Sequence, residues 1–272
     1  MNRPEPAVAG VIGWPIKHSK SPLIHRFWLT KLGIDGDYSR FPVAMADVGT
    51  FVRALPAMGL RGVNVTVPHK LAVMAHLDTL SPGAAAVGAV NTIVVGADRQ
   101  LVGHNTDVMG ITGSAGETLK GKAMLLIGSG GAARAGMAAA RASGASALWV
   151  MARNLDAAGT LQAASGLPGG ILDLDDRLPG DIGLLFNATT LGMAGNQPLT
   201  LDLAPLPADA VVFDAVYAPL DTPLLQAARW RGLATIDGLA MLIGQAAEAF
   251  RLFYDAHAPR EHDDELRRLL TR

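Results

Sequence analysis

The sequence predicts an α/β protein with a parallel, doubly wound sheet. Three observations predict it. Short apolar runs alternate with segments of helical periodicity along most of the chain. The central run, Ala123-Met124-Leu125-Leu126-Ile127, is apolar throughout, as a strand buried on both faces of a parallel sheet must be. It leads straight into Gly128-Ser129-Gly130-Gly131-Ala132-Ala133-Arg134 and then into an alanine-rich helix reaching about Arg141. Strand, glycine turn and helix in that order form the context a dinucleotide fingerprint requires. Gly128 permits the tight turn, Gly130 lets backbone approach a diphosphate, and Ala133 is small enough for helix to pack on strand. The helix N-terminus offers N–H groups and a positive dipole end to phosphate.

In the first half, Val8 to Gly13 reads as a strand, and two prolines in Trp14–Pro22 exclude long regular structure there. Ser21 before Pro22 has the character of an N-cap, opening a helix that stops at Gly33. Ser19 and Ser21 place two hydroxyls near this helix start, where a small carboxylate is one partner and ordinary turn chemistry the plainer one. A strand over Asp37–Val43 and a helix over Met45–Met58 follow. Gly62 to Pro68 alternates, with Val63, Val65 and Val67 on one side and Asn64 and Thr66 on the other. Pro68-His69-Lys70-Leu71 opens the next predicted helix, which puts Lys70 just past the C-terminal end of a strand, where open α/β sheets place ligands. Asn91–Val95 and Gln100–Gly103 read as a hairpin, followed by Asp107 in the first turn of a helix towards Glu117. A carboxylate beside Lys70 would make an acid/base pair, since its charge holds and orients the ammonium.

In the second half, Leu148–Met151 reads as the second strand of the cofactor sheet and ends on Ala152-Arg153-Asn154. An NAD site of this type carries Asp or Glu there for the ribose hydroxyls, whereas the Arg153 guanidinium suits a 2′-phosphate, so NADP is favoured. Leu184–Phe186, Val211–Asp214 and Ala234–Ile236 are further strands. Thr222–Arg231, Leu239 to about Asp255, and Glu261–Leu270 are helices, the last a charged amphipathic cover.

Composition narrows the function classes. Net charge is -1, so no nucleic-acid partner is implied. The absence of cysteine removes disulfides, thiolate metal sites and a cysteine nucleophile, and suits the cytoplasm. The first residues, Met1–Pro6, lead into no secretory apolar run, because Trp14-Pro15-Ile16-Lys17 interrupts it, and the longest uncharged window, Ile182–Leu201, is too polar to span a bilayer. The seven histidines have no compact metal spacing, so no metal is expected.

These segments together resemble the shikimate dehydrogenase family. The resemblance rests on Gly13–Pro22, Asn64–Lys70, Ala89–Thr92, Asn105-Thr106-Asp107, Gly128–Arg134, Asn187-Ala188-Thr189 and Asp237–Leu242 leading to Gln245, in the family's order over nearly the whole chain. It implies an N-terminal α/β substrate domain over residues 1–107, completed by helices over 239–272, a Rossmann-type cofactor domain over 108–238, and an active site in the cleft between them. It implies reversible NADPH-dependent reduction of 3-dehydroshikimate to shikimate in the chorismate route to aromatic amino acids. By position Lys70 is the proton-transfer residue and Asp107 its partner. Ser19 and Ser21 match the carboxylate-holding hydroxyls with Tyr217 assisting, and Thr66, Asn91 and Gln245 match the residues on the ring hydroxyls. The resemblance leaves Asn64 the lesser role of a strand-end hydrogen bond. On the cofactor side the matching positions are Gly128, Ser129, Gly130, Gly131 and Ala132, then Arg153, Asn154, Ala215, Gly238 and Met241.

The chain departs from the family at the arginine clamp. Ala152 and Asn154 flank Arg153, and Ala157 stands where a second arginine is usual, with Asp156 beside it. Weaker NADP discrimination is the expectation, and NAD or dual use stays open. Ala240 also replaces a common glycine. A quinate/shikimate paralogue is the near alternative. A catalytically silent nucleotide or metabolite binder is the distant one, against which Lys70, Asp107 and Gln245 speak. Monomer and homodimer both stay open.

Overall fold

The computed structural model describes residues 6–272, so the reading of the first five residues lies outside the described part. The chain divides into two compact units, one of residues up to Thr106 together with Gln245–Arg272, the other Asp107–Gly244.

The first unit is built on a six-stranded sheet. Its elements are β1 (Ala7–Gly13), α1 (Ser21–Leu32), β2 (Gly36–Pro42), α2 (Val48–Ala54), β3 (Gly62–Val65), β4 (Thr79–Leu80), α3 (Pro82–Val87), β5 (Thr92–Val95) and β6 (Leu101–His104). The strand order is β2-β1-β3-β5-β6-β4. The β2-β1-β3 part is parallel, while β5 runs antiparallel to β3 and to β6. The register sets Asn64 opposite Thr92, so the start of β5 lies at the C-terminal ends of β1 and β3.

The second unit contains α4 (Asp107–Leu119), β7 (Ala123–Ile127), α5 (Gly131–Ala142), β8 (Ala147–Met151), α6 (Leu155–Ser165), β9 (Gly169–Leu172), β10 (Ile182–Asn187), β11 (Val211–Asp214), α7 (Pro223–Trp230) and β12 (Ala234–Ile236). All its strands are parallel, in the order β12-β11-β10-β7-β8-β9. Counted from β7 this is 3-2-1-4-5-6, the doubly wound dinucleotide order, with its switch point between β7 and β10. Every residue of β7 and β10 is buried, as the apolar runs predict. Leu125, Ile127, Leu185 and Val212 share a core with Leu224, Leu225 and Ala228 of α7. The chain then enters α8 (Gly238–Tyr254) and ends in α9 (Asp263–Leu270). Beyond Gly244, α8 belongs to the first unit. There Ala249 and Phe253 pack with Ala9 and Val11, while Ile12, Val63 and Val65 pack on the opposite core with Val52 and Leu55.

Local competition explains where structure and sequence reading differ. The helix over Met45–Met58 shrinks to a 3-10 turn and α2, because Pro56, directly after Leu55, has no backbone N–H to carry the helical ladder onward. Lys70 lies in a turn followed by a 3-10 helix over Ala72–His76, not in an α-helix. The His69 ring is buried and donates Nε2–H to the Val43 carbonyl at 2.7 Å, which holds that turn against β2's end. Val67 is 58% exposed, because β3 ends at Val65 and the alternation ends with it. Ser21 is the first residue of α1 and not its cap. The cap position is Lys20, and the Ser21 N–H donates to Ser19 Oγ at 3.3 Å. The strand β9 is preceded by Leu167-Pro168 and opens on two glycines, a turn-like composition that pairing with β8 overrides.

Candidate active site

The predicted substrate residues other than Tyr217 lie in the first unit, around the C-terminal ends of β1 and β3. The loop after β1 is pinned by Trp14 N–H to Val67 O at 3.2 Å and by Ser19 N–H to Ile16 O at 3.1 Å. Ser19 and Ser21 are both buried, at 9% and 6% exposure. Arg40 of β2 donates Nε–H to the Ser19 carbonyl at 2.9 Å and adds a second bond from Nη2. The Lys20 ammonium donates to the carbonyl of Leu270, at the C-terminal end of α9, so the loop is tied from two sides.

Thr66 follows β3 directly, and its carbonyl accepts the His69 N–H at 2.9 Å, closing the turn that carries Lys70. The Lys70 carbonyl in turn accepts Val90 N–H at 2.9 Å, which ties that turn to the strand start at Asn91. Asn91 is the hub of a buried polar network. Its Oδ1 accepts Thr106 N–H at 2.7 Å, and its Nδ2 donates to Thr106 Oγ1 at 3.0 Å. Thr106 Oγ1 also donates to Gln245 Oε1 at 3.3 Å, bringing α8 to the same network. Asp107 is the next residue along and opens α4.

Asn64 has a strand-internal task, donating Nδ2–H to Thr92 Oγ1 at 2.9 Å and accepting the Tyr38 hydroxyl at 2.6 Å. Tyr38 was not singled out by sequence reasoning. Burial raises its phenol well above the usual range, so it stays a hydrogen-bond donor. A lone tyrosine inside β2 carries no motif. Only the β1–β2 and β1–β3 registers, which pair Ala9 with Tyr38 and Val11 with Asn64, reveal the contact.

In the second unit the glycine turn sits at the switch point. Gly128 has φ +112°, a backbone open to glycine, and a Cβ there would lie 3.0 Å from the Thr189 methyl. Gly130 is the N-cap of α5 and gives no side-chain cap, so the first N–H groups of the helix keep no side-chain acceptor. A Cβ on Gly130 would project into open space, while Ala133 is fully buried against the sheet. Ser129, Gly131 and Ala132 are only partly buried around this turn. Together these features fit a diphosphate at the helix start.

Arg153 is exposed just after β8, and Asn154 caps α6 with its Oδ1 accepting Ala157 N–H at 3.0 Å. That leaves only the amide end of Asn154 for a cofactor. Ala215 follows β11, and Tyr217 lies two residues on. Gly238 opens α8 so close to them that a Cβ would sit 2.5 Å from the carbonyls of Ala215 and Val216. Met241 is buried one turn further along. The structure therefore brings Ser19, Ser21, Thr66, Lys70, Asn91 and Gln245 into the first unit, and Asp107, Tyr217 and the cofactor positions into the second. Among the described residues no group of three or more His, Cys, Asp or Glu is placed to hold a metal. No described helix is long and apolar enough to cross a membrane.

Comparison with known proteins decides the lineage. The profile of the shikimate dehydrogenase substrate binding domain matches residues 11–93. A curated shikimate dehydrogenase (NADP(+)) from Sphingopyxis alaskensis is 49% identical over 97% of this chain and 96% of its own length. The chain belongs to the shikimate dehydrogenase family. Among solved structures, shikimate 5-dehydrogenase from Thermus thermophilus in complex with NADP(H) and shikimate has a TM-score of 0.87 at 34% identity, covering 97% of this chain and 99% of that one. Quinate dehydrogenase from Corynebacterium glutamicum in complex with NAD has the same TM-score of 0.87 at 32% identity, with the same coverage of 97% and 99%. The same fold thus holds NADP(H) with shikimate in one relative and NAD in another.

Proposed function

We propose that this chain is an NADP-linked shikimate dehydrogenase, an oxidoreductase that reversibly reduces 3-dehydroshikimate to shikimate in the chorismate route. The observation that carries the reading is 49% identity to an NADP(+)-named relative over 97% of the chain. The polar set of the first unit and the open glycine turn of the second agree with it. In this reading the first unit takes substrate and the second takes the nucleotide. The cytoplasm is its place, in keeping with a chain that has no cysteine.

Each residue then has its share of the work. Ser19 and Ser21 hold the substrate carboxylate in a loop fixed by Arg40 and Lys20, with Tyr217 assisting. Thr66, Asn91 and Gln245 meet the ring hydroxyls, where a buried polar group left unpaired costs ~1–3 kcal/mol. Lys70 carries the proton. An ammonium in hydrogen-bond reach of the reacting oxygen stabilises the negative charge that builds there during reduction, and supplies the proton that ends it. The family match assigns Asp107 to the same acid/base chemistry. The N–H groups from Gly128 to Ala132 would hold the diphosphate, Arg153 the 2′-phosphate, and Ala215, Gly238 and Met241 would border the nicotinamide. When bound, NADP(H) supplies the hydride.

A second reading, quinate or NAD use, is favoured by one feature, Ala157 in place of the second clamp arginine. Steady-state kinetics with shikimate and quinate, each with NADP and NAD, separate the two. Lys70→Ala should lose turnover by about 10²–10⁴-fold, the range for general acid–base catalysis, while shikimate affinity measured by calorimetry survives. Unchanged turnover in that variant would reject the role given to Lys70.

A further inference from the structure

We propose that Asp214 is a positioning residue for nucleotide binding, fixing through Asn187 the loop that walls the glycine turn at Gly128. The inference rests on the NADP reading above and names a residue to which that reading gives no role. Asp214 ends β11, is fully buried, and accepts three hydrogen bonds: from Asn187 Nδ2 at 2.9 Å, from Val216 N–H at 3.0 Å and from Thr222 Oγ1 at 2.7 Å. An ionised carboxylate offers only acceptors, so it dictates which end of the Asn187 amide faces it.

That choice decides the loop. With its NH₂ end on Asp214, Asn187 turns its carbonyl the other way, where it accepts both Thr189 N–H at 3.0 Å and Thr189 Oγ1–H at 2.7 Å. The remaining amide hydrogen donates to Leu191 O at 3.2 Å. Thr189 is thereby locked with its methyl against Gly128, and Ala188 N–H donates to Ile127 O at 2.9 Å on the same turn. A flipped Asn187 amide would set two donors against each other at Thr189 and two acceptors against each other at Asp214. The positive-φ turn at Gly128, on which the diphosphate-facing N–H groups depend, would then lose its wall.

A charge-swap experiment tests this. Asn187→Asp places two carboxylates face to face. It should raise the NADP KM about tenfold while the shikimate KM stays within about twofold, as loss of a charge-linked hydrogen bond predicts. Adding Asp214→Asn restores a donor opposite the new carboxylate at position 187, although the same atom then faces Val216 N–H, and should bring the NADP KM part of the way back to wild type. A residue that only supports folding would lower Tm and leave both KM values alone. A swap no better than the single variant, or a shikimate KM rising in step with the NADP KM, overturns the proposal. Should Asn187→Asp fail to fold, Thr189→Val carries the test with the same asymmetry between the two KM values, and an unaltered NADP KM there overturns it. Fluorescence titration of the wild type with NADPH separates the two levels. No binding removes the NADP reading and this inference with it, whereas wild-type binding with unaffected variants removes the inference alone.

Discussion

The side-chain carbonyl of Asn91 accepts the backbone N–H of Thr106 at 2.7 Å, and the Thr106 hydroxyl reaches Gln245 at 3.3 Å. The residue before β5, the residue before α4 and the middle of α8 thus share one buried network. The Thr106 N–H has no helical partner of its own, so Asn91→Ala orphans it. The cost is ~1–3 kcal/mol of stability. Thermal unfolding should show a lowered Tm, and kcat/KM for shikimate should fall by more than about tenfold. Asn91→Asp keeps the acceptor for the N–H and should recover most of the Tm but not the activity. An unmoved Tm in the alanine variant contradicts the network.

The two glycines of the fingerprint should fail differently. Gly128→Ala meets the Thr189 methyl at 3.0 Å with φ +112°, so it should cost ~1–3 kcal/mol of stability and show it in Tm. Gly130 has φ -82° and open space where a Cβ would go, so Gly130→Ala should leave Tm unchanged. It should still raise the NADP KM, because in the proposed function the new methyl stands where the diphosphate approaches. Equal losses of Tm in the two variants would refute this division.

In the proposed function, nucleotide choice rests on one guanidinium. Arg153 is exposed, so Arg153→Ala should not disturb folding, but the NADP-to-NAD ratio of kcat/KM should fall by about tenfold, the worth of one charge-assisted contact. Ala157 lies in the first turn of α6, and Ala157→Arg should raise that ratio by supplying the absent second cation. Kinetics of both variants with both nucleotides check the pair of outcomes.

His25 makes stability depend on pH. Its ring stacks on Tyr38 with centroids 4.0 Å apart, is fully buried, and has no hydrogen-bond partner at either nitrogen. Burial holds it neutral, with its pKa pushed down to about 3. The unfolded chain takes up the proton below about 6.5, so stability is lost as pH falls from there towards 3. Between pH 7 and pH 5 the loss from this residue is ~2 kcal/mol. Urea denaturation at the two pH values should show that loss in the wild type and a smaller one in His25→Leu. Equal losses in both would remove His25 as the cause.

Much of the fold was legible because its signals are local. Ala123–Ile127 is a strand at those bounds, and so are Val211–Asp214 and Ala234–Ile236, since an unbroken apolar run between breakers leaves few other states. Where two local rules competed the reading slipped, as at Pro68–Leu71, where a helix-like start lost to the buried His69–Val43 bond.

The sequence by itself determined the α/β class, the strand–glycine–helix turn and the family, because each depends on residue types at short, fixed spacing. Only the tertiary structure decided which polar groups meet. The bonds of Tyr38 to Asn64, of Asn91 to Thr106, of Thr106 to Gln245 and of Asp214 to Asn187 join residues far apart along the chain. Those pairings are set by sheet order and register, which no spacing along the chain encodes. Buried donors and acceptors must find partners there or the fold loses stability.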